Sequence, residues 1–210
     1  NAKADQLNEG HQVTDKLTVS SFDGTASHTI TVNITGSNDA PTVTSGTTAS
    51  VAENAATSTV VYQATGSDPD ANDKIVWYLS EGDAGKFNSG TDGKVTLKAS
   101  ANYEAQSSYS FNVVGTDTRG DSSIKAVTVS VTNVNEAPTI TSGASAQVNE
   151  NASANTVIYT ATGDDPDAND KVTWSLTGTD ADKFTIGADG KVKLKASADY
   201  EAQSSYSFNV

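Results

Sequence analysis

A repeat of 97 residues constrains this chain more than any other feature. Residues 51–113 align without a gap onto residues 148–210, and 44 of these 63 positions are identical. The segments that begin at Ala40 and Ala137 (Ala-Pro-Thr-x-Thr-Ser-Gly) keep the same offset. A fixed period indicates tandem copies of one structural unit, and about 100 residues is the size of an immunoglobulin-like β-sandwich.

Apolar and polar residues alternate within each repeat, as in strands that bury one face and expose the other. The clearest runs are residues 30–34, 109–113 and 127–131, and turn signals such as the Asp-Gly pairs at 23–24, 92–93 and 189–190 separate the strands. Trp77 and Trp174 occupy equivalent positions, and we interpret them as core residues rather than as sugar-stacking platforms. The pattern predicts an all-β protein.

Two short polar linkers divide the chain. Pro41 and Pro138 each open a repeat, and residues 36–40 and 133–137 precede them. The sequence therefore predicts the C-terminal part of one module at 1–39, a complete sandwich at 40–136, and a sandwich without its last strand at 137–210. We expect that missing strand to leave a gap at a sheet edge, which a strand from another copy could fill.

The charge balance excludes several classes of function. The net charge is −13 and the pI is near 4.3, so the chain would repel nucleic acid and anionic lipid, whereas cations are natural partners. The absence of cysteine excludes thiolate metal sites, and no apolar run reaches the ~20 residues of a membrane-spanning helix. No pairing of a nucleophile with a base is evident, so we predict that the chain is not an enzyme.

Acidic residues recur at fixed places in the repeats. One group is Glu53-Asn54, another is the loop from Asp68 to Asp73 (Asp-Pro-Asp-Ala-Asn-Asp), and a third is the segment Asn102-Tyr103-Glu104. Calcium requires six to eight oxygen ligands, and carboxylates from several loops can supply them. Asp and Asn also form turns through their own side chains, and for any single group the turn is the favoured interpretation.

Taken in order, these groups resemble the cadherin repeat. It carries Glu-Asn near its start, an Asp-x-Asp loop, an Asp-Tyr-Glu segment, a later Asp, and a linker rich in Asn and Asp before Pro. The resemblance covers residues 40–210 and implies tandem cadherin-like Greek-key β-sandwiches in a rod. Residues 1–39 resemble the end of a VCBS repeat, and such repeats accompany cadherin-like ones in large RTX-type bacterial surface adhesins.

The resemblance also implies calcium ligands at each junction between modules. For the second junction it implies Glu53, Glu104, Asn135, Glu136, Asp165 and Asp167. For the first it implies Asn38, Asp39, Asp68, Asp70 and Asp117, and for a further junction Glu150, Asp199 and Glu201. In the first fragment Leu7 stands where the family has Glu, so only Asp5 or Glu9 could contribute there.

The function expected from this resemblance is a calcium-stiffened extracellular spacer or adhesion repeat on a bacterial cell surface. Its partners would be neighbouring repeats, with head-to-tail strand exchange between copies as a route to fibres. A calcium-dependent carbohydrate-binding module that recognises a cell-surface glycan is the alternative. Near-identical repeats favour the spacer, because a binding tip is generally a distinct domain.

Overall fold

The computed structural model describes residues 6–210, which consist almost entirely of strands and turns, and it divides the chain into two compact units, 1–134 and 135–210. The first unit contains β1 (Gln12–Ser20), β2 (Ser27–Thr35), β3 (Thr42–Val43), β4 (Thr48–Ala52), β5 (Val60–Gln63), β6 (Gly66–Ser67), β7 (Val76–Ser80), β8 (Phe87–Ser89), β9 (Lys94–Leu97), β10 (Ser108–Thr116) and β11 (Ser122–Thr132). The second contains β12 (Thr139–Ile140), β13 (Val157–Thr160), β14 (Gly163–Asp164), β15 (Phe184–Ile186) and β16 (Lys191–Leu194).

Helix is confined to two three-residue 3-10 turns in the described residues, Ala84–Lys86 and Ala181–Lys183. Neither is long enough to cross a lipid bilayer. The prediction of an all-β chain is confirmed.

A β-hairpin forms the start of the first unit. β1 and β2 pair antiparallel from Gln12–Thr35 to Ser20–Ser27, and the Asp23-Gly24 turn connects them. Directly opposed residues share a face, and this places Val13 with Ile34 and Leu17 with Ile30 on one apolar side. Leu17 is 61% exposed, so this side lacks a cover within the described residues.

Two facing sheets form the complete module. The larger sheet has the strand order β4-β11-β10-β7, and the smaller one has the order β5-β9-β8. β4 pairs with β11 in parallel, whereas the other neighbours in these two sheets are antiparallel. The short pair β3-β6 leads from the linker into the module. This arrangement is the immunoglobulin-like sandwich that the repeat length predicted.

The core lies between these two sheets. Phe87 packs against Phe111 with ring centroids 4.8 Å apart and against Tyr109 at 5.4 Å with the rings perpendicular. Val129 is fully buried, and Trp77 is 9% exposed, which confirms its assignment to the core. The alternation of β11 is visible directly, because Val127, Val129 and Val131 are buried while the residues between them are exposed.

The second unit reproduces only part of this arrangement. Its sheet β13-β16-β15 matches β5-β9-β8, and Phe184 contacts Phe208 at 4.8 Å as Phe87 contacts Phe111. By contrast, the counterparts of β4, β7 and β10 form no ladder beyond a bridge between Thr177 and Asn209.

The expectation of a gap at a sheet edge is wrong. β11 lies between β4 and β10 in the complete module, so its counterpart would be an internal strand. Without an internal strand, the ladders on both sides lose their hydrogen bonds. Residues 142–150 and 203–210 line a groove of about 830 Å³ at that position in the second unit.

Candidate metal centre

The Asp68-Pro69-Asp70 loop follows β6 and places two carboxylates together. One oxygen of Asp68, Oδ1, accepts a hydrogen bond from the backbone N–H of Asp70 at 2.8 Å, which is the turn that Asp commonly forms. Its other oxygen, Oδ2, and Oδ1 of Asp70 are buried and have no hydrogen-bond partner. The loop is therefore a turn and also carries two open carboxylate oxygens.

The linker joins this cluster through its backbone and an amide side chain. The backbone N–H of Asp39 donates to Asp70 Oδ2 at 2.8 Å, and Asn38 Nδ2 donates to Asp117 Oδ2 at 2.8 Å. Asn38 Nδ2 also donates to Asp121 Oδ2 at 2.7 Å. Two of these contacts span about 80 residues of sequence, so the fold brings the linker and the β10–β11 turn to one end of the module.

Asp117 organises the turn between β10 and β11. Its Oδ1 accepts the backbone N–H groups of Arg119, Gly120 and Asp121 at 2.8, 2.6 and 3.0 Å. Burial alone would raise the pKa of Asp117, but the hydrogen bond from Asn38 and the three backbone bonds outweigh it and lower that pKa. Asp117 is therefore ionised and held in place.

Asp68 experiences the opposite effect. Burial raises the pKa of its carboxyl group, and repulsion from the negative charges of Asp73, Asp70 and Asp117 adds to the rise despite the backbone hydrogen bond from Asp70. Carboxylate oxygens of Asp68, Asp70 and Asp73 lie within 4.8 Å of one another. This end of the module is an acidic cluster whose charges repel one another in the absence of a cation.

The second unit repeats the same geometry 97 residues later. The backbone N–H of Asp167 donates to Asp165 Oδ1 at 3.0 Å, and the backbone N–H of Glu136 donates to Asp167 Oδ2 at 2.6 Å. Asp167 Oδ1 is buried and has no partner, as is Asp70 Oδ1 in the first unit. Asn135 is nearby in the linker and donates from Nδ2 to the carbonyl of Glu136 at 3.0 Å.

Glu53 lies at the start of the module, after β4. Its residue is 2% exposed, and its two oxygens accept the backbone N–H groups of Tyr103 at 2.9 Å and Val134 at 2.7 Å. Glu104 follows Tyr103 in the sequence and is exposed, in the turn that precedes β10. Glu53 therefore fixes both that turn and the segment that follows β11.

The corresponding residues of the second unit are less enclosed. Glu150, Asp199 and Glu201 are exposed, and Asp199 Oδ1 accepts the backbone N–H groups of Glu201 and Ala202, each at 3.1 Å. Of the residues proposed from sequence in this unit, the structure thus brings together the linker and the Asp165–Asp167 loop. Glu150 lies in one turn, and Asp199 and Glu201 share another.

The donor set fits a hard divalent cation. Buried carboxylate oxygens without partners are rare and costly in folded proteins, since nearly all buried polar atoms are hydrogen-bonded. Calcium binds carboxylate oxygens at 2.3–2.6 Å, which places ligands across one ion less than about 5 Å apart. The clusters at Asp68–Asp70 and Asp165–Asp167 meet both conditions.

Sequence reasoning missed three members of the first cluster. Asp73 ends the acidic segment that begins at Asp68, and Asp121 follows Asp117 by four residues, but neither was assigned as a ligand. Arg119 is the only arginine of the chain, and its guanidinium contacts Asp73. The presence of a single arginine could have indicated a specific role for this residue. Asp5, one of two candidates in the first fragment, is outside the described residues.

Comparisons with known proteins concern the fold and the domain family of this chain. Human protocadherin Fat 4 is 28% identical over 211 aligned positions, which cover 92% of this chain and 4% of Fat 4. The structure of human CDH23 EC21-23 superposes with a TM-score of 0.65 at 22% identity, over 90% of this chain and 66% of that one. Human protocadherin-24 EC1-2 gives 0.60 at 20% identity, over 78% and 80%.

The chain spans a small fraction of the length of its curated relatives. The likeness to the solved structures supports the fold and nothing further. The cadherin domain family matches residues 47–132 and 144–210, which is most of the sequence. Cadherin domains are extracellular, adhesion-type repeats, and tandem β-sandwiches of this kind are their hallmark. The chain belongs to the cadherin domain family.

Proposed function

We propose that this chain is a calcium-braced spacer and adhesion segment of a larger extracellular protein. The observation that carries the proposal is the buried, unpartnered carboxylate oxygen that recurs at Asp70 and Asp167. Two copies of one loop, in two separate units, keep the same open oxygen and the same hydrogen bond from the linker backbone. A cation bound at each loop would complete both.

Calcium would supply positive charge and coordination to these oxygens. In its absence, Asp68, Asp70 and Asp73 hold their negative charges close together, and burial deepens the repulsion. An ion that binds only the folded state adds about 2.7 kcal/mol per site when its concentration is ~100 times the dissociation constant.

The complete ligand sets are also part of the proposal. Asn38, Asp39, Asp68, Asp70 and Asp117 would serve the first junction, and the second would draw on Glu53, Glu104, Asn135, Glu136, Asp165 and Asp167. Support comes from the linker contacts within each unit and from the burial of Glu53. Glu150, Asp199 and Glu201 would serve a further junction.

A large bacterial surface adhesin is the parent protein that we propose. The support is the likeness of residues 1–39 to the end of a VCBS repeat and the near-identity of the two cadherin-like repeats. The curated relatives with matching sequence include human and mouse protocadherin Fat 4, which share the domain family.

Neighbouring repeats of the same protein are the first partners proposed, and a second copy of this chain is a further one. β2 alternates Ile30, Val32 and Ile34 with polar residues, which suits the groove of the second unit. Head-to-tail insertion would build a fibre. Mass measured against concentration tests this, with deletion of residues 1–39 as the control, and a monomer at every concentration would exclude strand exchange.

The calcium proposal is tested by melting the full chain in calcium and in chelator, with magnesium as a comparison. We expect a higher melting temperature in calcium and a smaller effect of magnesium, which prefers fewer protein ligands and a stricter geometry. Equal melting temperatures in calcium and chelator would contradict the proposal. A glycan array with and without calcium tests the carbohydrate-binding alternative, which calcium-dependent glycan capture would favour.

A further inference from the structure

Arg119 is the only arginine among the 13 lysine and arginine residues of this chain. It lies in the turn between β10 and β11, beside the acidic cluster, and its side chain is 33% exposed. A chain that uses lysine at its other basic positions uses a guanidinium only here.

The guanidinium contacts three groups of the first unit. Nη1 is 3.1 Å from Asp73 Oδ2 and donates to Asn38 Oδ1 at 3.4 Å, and Nε is 3.6 Å from Glu9 Oε2. Asp73 belongs to the acidic cluster, Asn38 to the linker and Glu9 to the segment before β1. One side chain therefore connects the module, its linker and the preceding segment.

Both carboxylate oxygens of Asp73 have partners. Its side chain is 3% exposed, and its second oxygen accepts the backbone N–H groups of Lys74 at 2.8 Å and Thr118 at 3.3 Å, together with the Thr118 hydroxyl. Asp68 and Asp70 differ, since each retains a buried oxygen without a partner. The cluster thus consists of a neutralised part at Asp73 and an open part at Asp68 and Asp70.

We propose that Arg119 is a built-in counter-cation of this cluster, which neutralises Asp73 and so keeps Asp73 from serving as a ligand of the divalent ion. The inference rests on the proposed calcium site. Arg119 holds the linker and the preceding segment against the module before any ion binds. Its positive charge also opposes a divalent ion at the open part of the cluster, so it weakens calcium binding there.

Lysine would not replace it. A guanidinium is planar and offers several N–H donors in fixed directions, so it can serve Asp73, Asn38 and Glu9 together. An ammonium group is a compact point charge on a flexible stem. Arg119→Lys should keep the electrostatic effect on calcium but lose part of the connection, whereas Arg119→Gln should lose both.

The experiment measures melting in chelator and calcium affinity by calorimetric titration for the full chain. We expect Arg119→Gln to melt about 3–8 °C lower in chelator and to bind calcium about fivefold more tightly, because a unit charge within a Debye length of an ion is only partly screened. Arg119→Lys should melt lower in chelator while its calcium affinity stays near that of the parent. Lys16→Gln, which removes the same charge from an exposed position on β1, should alter neither property by a comparable amount.

The two arms distinguish this inference from the calcium proposal. A parent chain that binds no calcium refutes the calcium site, while an unchanged melting temperature of Arg119→Gln in chelator refutes the connecting role of Arg119. A calcium affinity that is unchanged or weaker in Arg119→Gln refutes the proposal that Arg119 acts as a counter-cation. Lower chelator stability combined with tighter calcium binding supports it.

Discussion

Replacing Asp70 by Asn should change the stability of the first unit in opposite directions in chelator and in calcium. The residue is 2% exposed, its Oδ2 accepts the Asp39 N–H at 2.8 Å, and its Oδ1 has no partner. Asn keeps one oxygen as an acceptor for Asp39, occupies the same volume and removes one negative charge beside Asp68. In chelator we therefore expect the variant to be at least as stable as the parent, because the neutral amide no longer repels the neighbouring carboxylate of Asp68.

In calcium the order should invert. The parent gains about 2.7 kcal/mol from one site at ~100 times the dissociation constant. About 4–8 °C of melting temperature corresponds to each kcal/mol for a domain of 60–100 residues, so the parent should rise by about 11–22 °C. The variant lacks a charged ligand and should retain less than about a third of that rise.

The assay follows the first unit alone by tryptophan fluorescence. The chain has two tryptophans, and Trp174→Phe leaves Trp77, in the core of the first unit, as the reporter. Asp15→Asn is the matched control, because it removes the same charge from an exposed position on β1. If Asp70→Asn is less stable than the parent in chelator and its calcium shift is undiminished, Asp70 is a structural turn residue and the reasoning fails.

Three further predictions concern the scaffold. Glu53→Gln should destabilise the first unit by about 1–3 kcal/mol, because one of two backbone N–H groups loses its acceptor, whereas Glu150→Gln, at the exposed equivalent position, should have little effect in urea titrations. Gly66→Ala would place a methyl group 2.6 Å from a backbone oxygen and should cost about 1–3 kcal/mol, while Gly85→Ala, with open space, should be tolerated in the same melts. The pKa of Asp180 is lowered to about 2 by hydrogen bonds from the Gln203 amide, the Ser207 N–H and Lys183. The stability that Asp180 contributes is therefore complete above its unfolded pKa of 3.8 and is lost as the pH falls toward 2. Asp180→Asn should weaken the loss of stability over this pH range, and an unchanged pH dependence would refute the prediction.

Local patterns in the sequence predicted the strands but not their neighbours. Alternation over residues 127–131 lies within β11, which extends from Ser122 to Thr132 because its pairing with β10 continues as far as the pair Thr116–Ser122. Spatial order is not local. β11 is the last strand of its module in the sequence, yet it pairs with β4 on one side and β10 on the other, and this misled the expectation of an edge gap.

The acidic site was predicted in the same uneven way. Asp68 and Asp70 were identified because a motif marks them, and the structure adds the open oxygens that a motif cannot show. Arg119 was missed since a single residue has no period, and its contacts join segments more than 45 positions apart in sequence. Contacts of that kind depend on the closed fold rather than on any local preference.

The parallel pairing of β4 with β11 also decides how the module would respond to a pulling force. The chain passes from β3 into the start of β4 and leaves the module at the end of β11, and five residue pairs from Thr48–Thr128 to Ala52–Thr132 align the two strands. Tension applied through the chain pulls these neighbours in opposite directions along their length, so their hydrogen bonds are loaded together in shear. An antiparallel hairpin pulled from its open end breaks its bonds one at a time. Single-molecule stretching should therefore give a higher rupture force when the complete module is pulled by its ends than when the β1–β2 hairpin is pulled from its open end. In tandem modules under tension, the paired β4 and β11 of each module would resist the force before that module unfolds.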